Sequence, residues 1–327
     1  MKKVALITGI TGQDGSYLTE FLLKKKYKVH GIVRRVAAEY ETHRLWRLQK
    51  VINKVNLHSA SLESYASIVK VIQKVKPSEI YHLAAQSYLD YSFRDEFSTL
   101  NININGTHYL LSAIKDFSPK TKLYFAGSSE MFGKVRTTPQ SEKTPFHPRS
   151  TYGISKVTGH DLARNYREAY NIYCCTGILF NHESPRRGFE FVTRKISHAV
   201  AKIKLGLQKE LKLGNLNSLR DWGHAKDYVE AMWLMLQQRK AHDFVIGTGR
   251  QHSVRDFAKA AFSVVGLDYK KYVKVDKKLL RPSEVDTLLA NYSKARKILG
   301  WKPRVSFKDL VKDMVESDLE FVEKSGY

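Results

Sequence analysis

Short apolar runs alternate with amphipathic segments through the first half of the chain. The runs typical of buried strands are residues 4–7, 29–33, 55–57, 79–83, 123–126 and 173–179. Between them, residues 16–26, 64–76 and 105–114 carry apolar side chains three or four positions apart, which is typical of helices. Repeated strand–helix units predict an α/β protein whose doubly wound parallel sheet has helices on both faces.

The pattern changes near residue 180. Polar, charged stretches separated by short helices follow, and one further strand is predicted at residues 243–246. We therefore expect residues 1–180 to form the sheet domain, with returning elements near 215–250. Residues 181–327 are expected to form mainly a smaller, interleaved C-terminal substrate domain.

Composition and charge leave two interpretations open. Of the 327 residues, 43% are hydrophobic and 27% charged, as in an ordinary globular protein. The net charge of +23 could indicate nucleic-acid binding. However, the basic residues are spread through every predicted element, so a basic surface around a site for a polyphosphate explains the charge at least as well. We expect no nucleic acid as a partner.

The cysteines, the N-terminus and the apolar runs indicate where in the cell the protein is located. Cys174 and Cys175 are adjacent in a strand-like run, which suits two faces of a buried strand better than a disulfide or a metal site. The N-terminus lacks the pattern of a signal peptide, and no apolar run is long enough to cross a membrane. These features predict a cytoplasmic protein with no metal and no membrane partner.

A glycine-rich turn follows the first predicted strand. Gly9 permits a tight turn, Gly12 lets the backbone approach a pyrophosphate, and Gly15 allows close packing of helix on strand. The free N-terminus of the following helix can hold an anion. This context predicts a Rossmann-like fold that binds a nicotinamide dinucleotide.

The ends of the second and fourth predicted strands add detail to the cofactor prediction. Arg34 and Arg35 follow the second strand, where an acidic residue would favour NAD, and they suit the added phosphate of NADP. Alternatively, both arginines merely join the basic surface. The fourth strand ends in a segment whose small residues would let a cofactor lie against the backbone: Leu83, Ala84, Ala85, Gln86 and Ser87.

Four residues are candidates for catalysis. Tyr152 and Lys156 are four positions apart, hence on one face of a helix, where an ammonium would favour the phenolate that accepts a proton. Ser128 and Glu130 follow the strand at 123–126 and add a hydroxyl and a carboxylate at the edge where such sheets place reactive groups. From spacing alone, a helix cap explains Ser128 and Glu130 equally well.

These segments resemble GDP-mannose 4,6-dehydratases, a family of extended short-chain dehydrogenase/reductases. The similarity runs over nearly the whole chain. It is carried by Gly-Ile-Thr-Gly-Gln-Asp-Gly-Ser-Tyr-Leu at 9–18, Ser-Glu-Met-Phe-Gly-Lys at 129–134, Tyr-Gly-Ile-Ser-Lys at 152–156, Phe-Asn-His-Glu-Ser-Pro-Arg-Arg-Gly at 180–188, Phe-Val-Thr-Arg-Lys at 191–195 and Arg-Asp-Trp-Gly-His-Ala-Lys-Asp-Tyr-Val-Glu-Ala-Met-Trp at 220–233.

The resemblance implies a mechanism for these residues. Tyr152 would deprotonate the sugar 4-hydroxyl as hydride leaves C4 for NADP⁺, and Lys156 would lower the pKa of Tyr152 and hold the nicotinamide ribose. Glu130 would remove the proton from C5, and Ser128 would assist departure of the 6-hydroxyl. Hydride would then return to C6, so that the net reaction is loss of water.

The resemblance also implies two sets of binding residues. The cofactor set is Gly9, Thr11, Gly12, Gln13, Asp14, Gly15, Arg34, Arg35, Ser61, Leu62, Leu83, Ala84, Ala85, Gln86, Ser87, Lys156, His182 and Arg187. The set for the GDP-linked sugar is Ser87, Asn181, Val192, Lys195, Arg220, Arg281 and Glu284. A homo-oligomer, dimer or tetramer, is also expected from the family.

Several positions depart from the family pattern. Ser128 stands where threonine is usual, and Gly127 stands where serine is usual, which we expect to open space beside the sugar. Ser61 replaces an aspartate expected at adenine, and Ser98 replaces a tyrosine expected near the cofactor. The segment 34–47, which helps build a tetramer in this family, departs as well.

Three alternatives remain open. The extra space expected at Gly127 motivates a larger substrate such as a GDP-manno-heptose. A related epimerase or ketoreductase could use Tyr152 and Lys156, although it would not need Glu130 for elimination. A non-catalytic dinucleotide sensor is opposed by the intact set of candidate catalytic residues.

Overall fold

A seven-stranded parallel sheet forms the centre of the molecule in the computed structural model, which describes residues 2–34, 45–279, 285 and 287–325. The described residues also form short two-stranded sheets. In chain order, the strands of all these sheets are β1 (Val4–Thr8), β2 (Lys28–Val33), β3 (Val55–Ser59), β4 (Glu79–His82), β5 (Lys122–Ser128), β6 (Cys174–Leu179), β7 (His182–Glu183), β8 (Leu211–Leu213), β9 (Leu219–Arg220), β10 (Gly223–His224), β11 (Phe244–Ile246), β12 (His252–Ser253) and β13 (Val273–Val275). The order across the large sheet is β11-β6-β5-β4-β1-β2-β3, and every neighbouring pair is parallel.

Helices fill the connections between strands. They are α1 (Gln13–Lys24), α2 (Tyr65–Val75), α3 (Leu89–Ser92), α4 (Glu96–Leu100), α5 (Gly106–Phe117), α6 (Thr151–Tyr170), α7 (Val192–Lys204), α8 (Ala225–Leu236), α9 (Val254–Val264), α10 (Tyr269–Tyr272), α11 (Ser293–Leu299) and α12 (Phe307–Ser325). Single 3₁₀ turns lie at Trp46–Leu48, Ile52–Lys54, Ser129–Met131 and Lys277–Leu279, and a π-helical segment, Asn101–Asn105, joins α4 to α5. No helix in the described part of the chain is both long enough and apolar enough to span a bilayer.

Each face of the sheet has its own apolar core. Helices α2, α5 and α6 cover one face, and helices α1, α8 and α11 cover the other. Cys174 packs into the first core and Cys175 into the second, and both thiols are free and buried. The prediction that these cysteines lie on two faces of a buried strand is confirmed.

A third core lies outside the sheet. Helices α7, α9 and α12 pack together with β8, and β13 pairs with β8. The chain crosses between this unit and the large sheet more than once, because β11 returns to pair with β6. The strand predicted at 243–246 is therefore confirmed.

The predicted sheet agrees closely with the structure. All six strands predicted before residue 180 are present, and each strand end differs from its prediction by at most two residues. Helix α1 begins at Gln13 rather than at the predicted Ser16, because Gly12 is extended (φ −76°, ψ 177°) and already serves as the N-cap. The strand order reverses between β1 and β4, and open α/β sheets bind ligands at the carboxyl ends of strands beside such a reversal.

Candidate active site

A cavity of about 370 Å³ opens where β5 and β6 end. All four predicted catalytic residues line it: Ser128, Glu130, Tyr152 and Lys156. Other predicted site residues in its wall are Asp14, Leu83, Ala85, Ser87, Asn181, His182, Arg187, Val192, Lys195 and Arg220. The structure thus brings together groups from α1, β5, α6, the β6–β7 connection, α7 and β9.

The glycine turn after β1 lies flush against the end of β4. Gly9 adopts φ +73°, and a Cβ there would come within 2.8 Å of the Ala84 backbone nitrogen. A Cβ on Gly15 would lie 2.2 Å from the Gly9 carbonyl oxygen. No side chain caps the start of α1, so its first amide groups remain open to an anion. This cradle fits the pyrophosphate of a dinucleotide.

A hydrogen-bonded clasp joins α1 to β7. Asp14 Oδ2 lies 2.7 Å from His182 Nε2, and His182 Nδ1 lies 2.8 Å from the Phe180 carbonyl oxygen. Beside this pair, Gln13 donates to the His182 carbonyl oxygen at 3.0 Å and accepts from the Ser184 hydroxyl at 2.7 Å. The clasp fixes one wall of the cavity.

The pKa values of this pair move in opposite directions. Burial alone would raise the pKa of Asp14, but the charge and hydrogen bond of His182 outweigh it and lower that pKa. Burial alone would lower the pKa of His182, and Asp14 outweighs it and raises that pKa. The pair therefore favours a carboxylate beside an imidazolium.

Ser128 both caps a helical turn and faces the cavity. Its hydroxyl accepts from the Glu130 backbone N–H at 3.2 Å, as the N-cap of the turn Ser129–Met131. The same turn directs Glu130 into the cavity wall. The sequence left open whether Ser128 and Glu130 form a helix cap or take part in catalysis. The two interpretations are compatible, because the cap orients both side chains.

The Tyr152 phenol lies in the cavity among charges of both signs. Burial raises the pKa of Tyr152 to about 12. A hydrogen bond with Ser128 and the positive charge of Arg187 oppose this rise, whereas the negative charges of Glu130 and Asp14 reinforce it. The unassisted phenol is thus a poor base at neutral pH.

Lys156 is held by the sheet rather than by the phenol. Its Nζ donates to the Ala126 carbonyl oxygen at 2.8 Å and lies 5.7 Å from the centre of the Tyr152 ring. Burial lowers the pKa of Lys156 to about 8. Ser128 and Arg187 are among the groups that lower the pKa of Tyr152, and a lowering by Lys156 stays a prediction.

Gly127 does not open space beside the sugar as expected. Its backbone lines the cavity, but a Cβ on it would point into the protein, 2.9 Å from Thr176 Cγ2, 3.0 Å from the Gly177 carbonyl oxygen and 3.2 Å from Met131 Sδ. The missing side chain therefore faces β6 and Met131. That expectation was wrong, because sequence shows neither direction nor neighbours.

Several predicted residues lie outside the cavity wall. Gly9, Thr11, Gly12, Gln13 and Gly15 form the turn and the start of α1, and Arg34, Ser61 and Leu62 follow β2 and β3. Arg34 is exposed, whereas Leu62 is buried against Gly106. Ala84 and Gln86 follow β4 and are not among the residues that line the cavity, and Arg35, Arg281 and Glu284 fall outside the described residues.

Two buried polar residues that were not among the predicted site residues shape the site. Asn103, in the π-helical segment, accepts from the Gln86 backbone N–H at 2.8 Å and donates to Ser155 on α6 at 2.9 Å. Asn103 thereby connects the segment after β4, where the cofactor is predicted to bind, to helix α6, which carries Tyr152. Glu183 is 1% exposed yet lines the cavity. Asn103 has no sequence signal, whereas Glu183 stands beside His182 inside a recognisable motif.

A Rossmann-like sheet with a glycine turn and a Tyr–Lys pair at its carboxyl edge defines an extended short-chain dehydrogenase/reductase. A family model described as GDP-mannose 4,6 dehydratase matches residues 6–314, and the chain belongs to that family.

Curated relatives agree over nearly the full length. GDP-mannose 4,6 dehydratase 1 of Arabidopsis thaliana is 51% identical over 332 residues, which cover 99% of this chain and 91% of that protein. The Homo sapiens GDP-mannose 4,6 dehydratase is 49% identical, covering 98% of this chain and 92% of that protein. The Vibrio cholerae GDP-mannose 4,6-dehydratase is 46% identical, covering 100% of this chain and 98% of that protein.

Solved structures support the fold. UDP-glucose 4-epimerase of Thermotoga maritima superposes with a TM-score of 0.85 at 24% identity, covering 98% of this chain and 99% of that one. A dTDP-glucose 4,6-dehydratase of Streptomyces venezuelae gives 0.84 at 22% identity, covering 98% of both chains. At these identities the likeness concerns architecture alone.

Proposed function

We propose that the protein is an NADP-dependent hydro-lyase that converts GDP-mannose to GDP-4-keto-6-deoxymannose. Membership of the GDP-mannose 4,6-dehydratase family supports this function. The observation that carries it is the meeting of a phenol, an ammonium, a carboxylate and a hydroxyl in one cavity: Tyr152, Lys156, Glu130 and Ser128. Internal oxidation, elimination and reduction need these groups together.

The glycine turn supports NADP as the resident cofactor. The open start of α1 would hold its pyrophosphate, and Gln86 Oε1, which is buried without a hydrogen-bond partner in the described structure, offers an acceptor nearby. Arg34 after β2 would attract the added phosphate. When bound, the cofactor would supply an acceptor for the C4 hydride in its oxidised form and a donor of that hydride to C6 in its reduced form, and the positive charge of the oxidised form would favour the Tyr152 phenolate.

Tyr152 would take the proton of the sugar 4-hydroxyl. Its neutral phenol must first lose a proton, and the neighbouring Arg187 and the Ser128 hydrogen bond favour that loss. Lys156 would hold the nicotinamide ribose from its anchored position at Ala126. The product of this step is a ketone at C4, which acidifies the hydrogen on C5.

Glu130 would remove that C5 proton. The 3₁₀ turn that Ser128 caps places Glu130 in the wall of the cavity. Ser128 would donate a hydrogen bond to the departing 6-hydroxyl, and the proton that Glu130 took from C5 would pass to that oxygen, so that it leaves as water. Elimination across C5 and C6 prepares C6 to receive the hydride.

Substrate contacts are proposed for residues on two sides of the cavity. Lys195 and Val192 lie in the first turn of α7, Arg220 ends β9, and all three line the cavity. Arg220 is suited to a diphosphate because a guanidinium binds phosphate oxygens bidentately. Asn181 and Ser87 would contact the sugar side. The finding at Gly127 removes the reason for preferring a GDP-manno-heptose, and Glu130 opposes a simple epimerase or ketoreductase.

We also propose a homo-oligomer in the cytoplasm. Large apolar side chains are exposed on neighbouring helices, with Phe97 81% exposed on α4, Tyr91 42% on α3 and Ile154 47% on α6. Such a surface supports association of identical chains. The free thiols of Cys174 and Cys175 support a reducing compartment.

Mass spectrometry of a turnover mixture tests the function. Purified protein with NADP⁺ should convert GDP-mannose to a product lighter by one water, with no net change in the cofactor. An unchanged sugar nucleotide, or stoichiometric consumption of NADP⁺, would contradict the proposal. A GDP-manno-heptose run in parallel should react more slowly.

A further inference from the structure

Glu183 is a buried carboxylate in the wall of the active-site cavity. It lies in β7 and is 1% exposed. Its Oε2 accepts from the Thr193 hydroxyl at 2.5 Å and lies 3.1 Å from Arg187 Nε. A buried charge is costly unless it is paired, so these two partners account for its presence.

Arg187 is held by Glu183 on one side and by an aromatic ring on the other. The guanidinium carbon lies 3.6 Å from the centre of the Phe191 ring. Arg187 Nε is close to Glu183 Oε2, but its N–H does not point at the oxygen, so charge and stacking hold the group rather than a well-directed hydrogen bond. Within the described structure, no hydrogen bond occupies its terminal nitrogens, which leaves them available to the cavity.

Charges on several elements face Tyr152 and Arg187. Around Tyr152, the carboxylates of Asp14 and Glu130 disfavour the phenolate, and Arg187 favours it. Lys156 lies on the same helix as Tyr152.

Arg187 itself is surrounded by charges of both signs. Its positive charge acts to lower the pKa values of Asp14 and His182 in the clasp and of Arg47. Glu183 is the carboxylate in direct contact with Arg187. Arg187 is thus a cation that offsets the two carboxylates around the phenol.

We propose that Glu183 is a positioning residue that holds Arg187 in the cavity beside Tyr152 and ties it, through Thr193, to helix α7. This inference rests on the proposed function, because it concerns the proton taken by Tyr152. Thr193 lies between Val192 and Lys195 on α7, so the same carboxylate connects the proposed substrate helix to the cation that faces the phenol.

The variant Glu183→Gln separates charge from shape. Glutamine keeps the size of the side chain and an acceptor for Thr193, but it offers no charge to Arg187. Arg187 then retains only its stacking on Phe191 and moves away from Tyr152. In the plot of kcat against pH, the acid limb should shift to higher pH. Relative to wild type, kcat at the acid end should therefore fall about 5-fold more than kcat on the alkaline plateau.

Two controls isolate the contact. Glu190→Gln removes the same charge from the rim of the same cavity, where the side chain is exposed and forms no ion pair within the described residues, and its acid limb should stay in place. Arg187→Gln should shift the limb in the same direction as Glu183→Gln. The double variant should shift it no further than Arg187→Gln alone, since both changes remove one interaction.

A binding measurement tests the inference without turnover. Calorimetric titration with NADP⁺ should show about 5-fold weaker binding to Glu183→Gln and unchanged binding to Glu190→Gln. A lower melting temperature with an unmoved acid limb and unchanged NADP⁺ affinity would make Glu183 a purely structural residue and overturn the inference. If the wild-type chain shows no dehydration, the proposed function fails, whereas weakened NADP⁺ binding to Glu183→Gln alone would still support the positioning of Arg187.

Discussion

The Asp14 carboxylate and the His182 imidazole, 168 residues apart in sequence, lie 2.7 Å apart and fasten the glycine turn to the strand that follows β6. Their side chains are only 20% and 11% exposed. The contact closes one wall of the cavity, so stability and cofactor geometry depend on the same pair.

The pH dependence of stability should report this pair. The pKa of His182 is raised above its ordinary 6.5, so its contribution is complete below pH 6.5 and is lost as pH rises through the higher folded value. The pKa of Asp14 is lowered below 3.8, so its contribution is complete above pH 3.8 and is lost as pH falls through the lower folded value. The pair therefore contributes its full stabilisation of the fold between pH 3.8 and pH 6.5.

Asp14→Asn should lower the free energy of unfolding by about 2 kcal/mol near pH 5.5. The difference from wild type should shrink above the folded pKa of His182, because the imidazole is neutral there. Urea unfolding of both proteins at acid and alkaline pH measures it. A difference that is constant with pH would show that no imidazolium contributes.

Lys156→Met should reduce activity while increasing stability. Turnover should fall by about 10²-fold or more, since the ammonium near Tyr152 is lost. Burial lowers the pKa of Lys156 from 10.5 to about 8, so charging it opposes folding at neutral pH. The gain in unfolding free energy should be largest below pH 8 and should disappear as pH approaches 10.5. Loss of stability at pH 7 would contradict a costly buried ammonium.

Glu130→Gln should stop the reaction after oxidation at C4. An amide cannot remove the C5 proton, so dehydration should fall by about 10³-fold or more. The GDP-4-ketomannose intermediate should then be detectable by mass spectrometry after reduction with borodeuteride, which leaves one deuterium at C4. Full dehydration by this variant would show that another group is the base. Glu190→Gln, in the same cavity, should retain dehydration.

Gly127→Ala should destabilise the fold by about 1–3 kcal/mol. The new methyl group would lie 2.9 Å from Thr176 Cγ2 and 3.2 Å from Met131 Sδ. Combining it with Thr176→Ser, which removes that methyl carbon, should restore part of the loss. Thermal unfolding measures both variants. A changed ratio of GDP-mannose to GDP-manno-heptose turnover without loss of stability would instead show that position 127 faces the sugar.

The large sheet was predictable because most of its strands are buried on both faces, and only the edge strand β3 has no fully buried residue. Continuous apolar runs gave six strands and the returning β11 within a few residues. The short strands β7, β9, β10 and β12 have only two residues each, too few for any periodicity. The π-helical segment around Asn103 depends on tertiary contacts with Gln86 and Ser155, which sequence spacing does not reveal.

The candidate site was predictable where a motif fixes local geometry. The turn at Gly9 and the pair Tyr152 and Lys156 have their chemistry within a few residues of one another. The direction of Gly127 and the Lys156 bond to Ala126 required the packed structure. The influence of Arg187 on Tyr152 joins distant segments of chain, and no local pattern encodes it.

Isotope transfer tests the central claim most directly. GDP-mannose deuterated at C4 should be incubated with the protein and NADP⁺ in ordinary water, and the product analysed by mass spectrometry and NMR. The mechanism predicts a product lighter by one water with the deuterium on C6, because the hydride that leaves C4 returns within the same site. Deuterium lost to solvent, or retained at C4, would contradict an internal 4,6-dehydration.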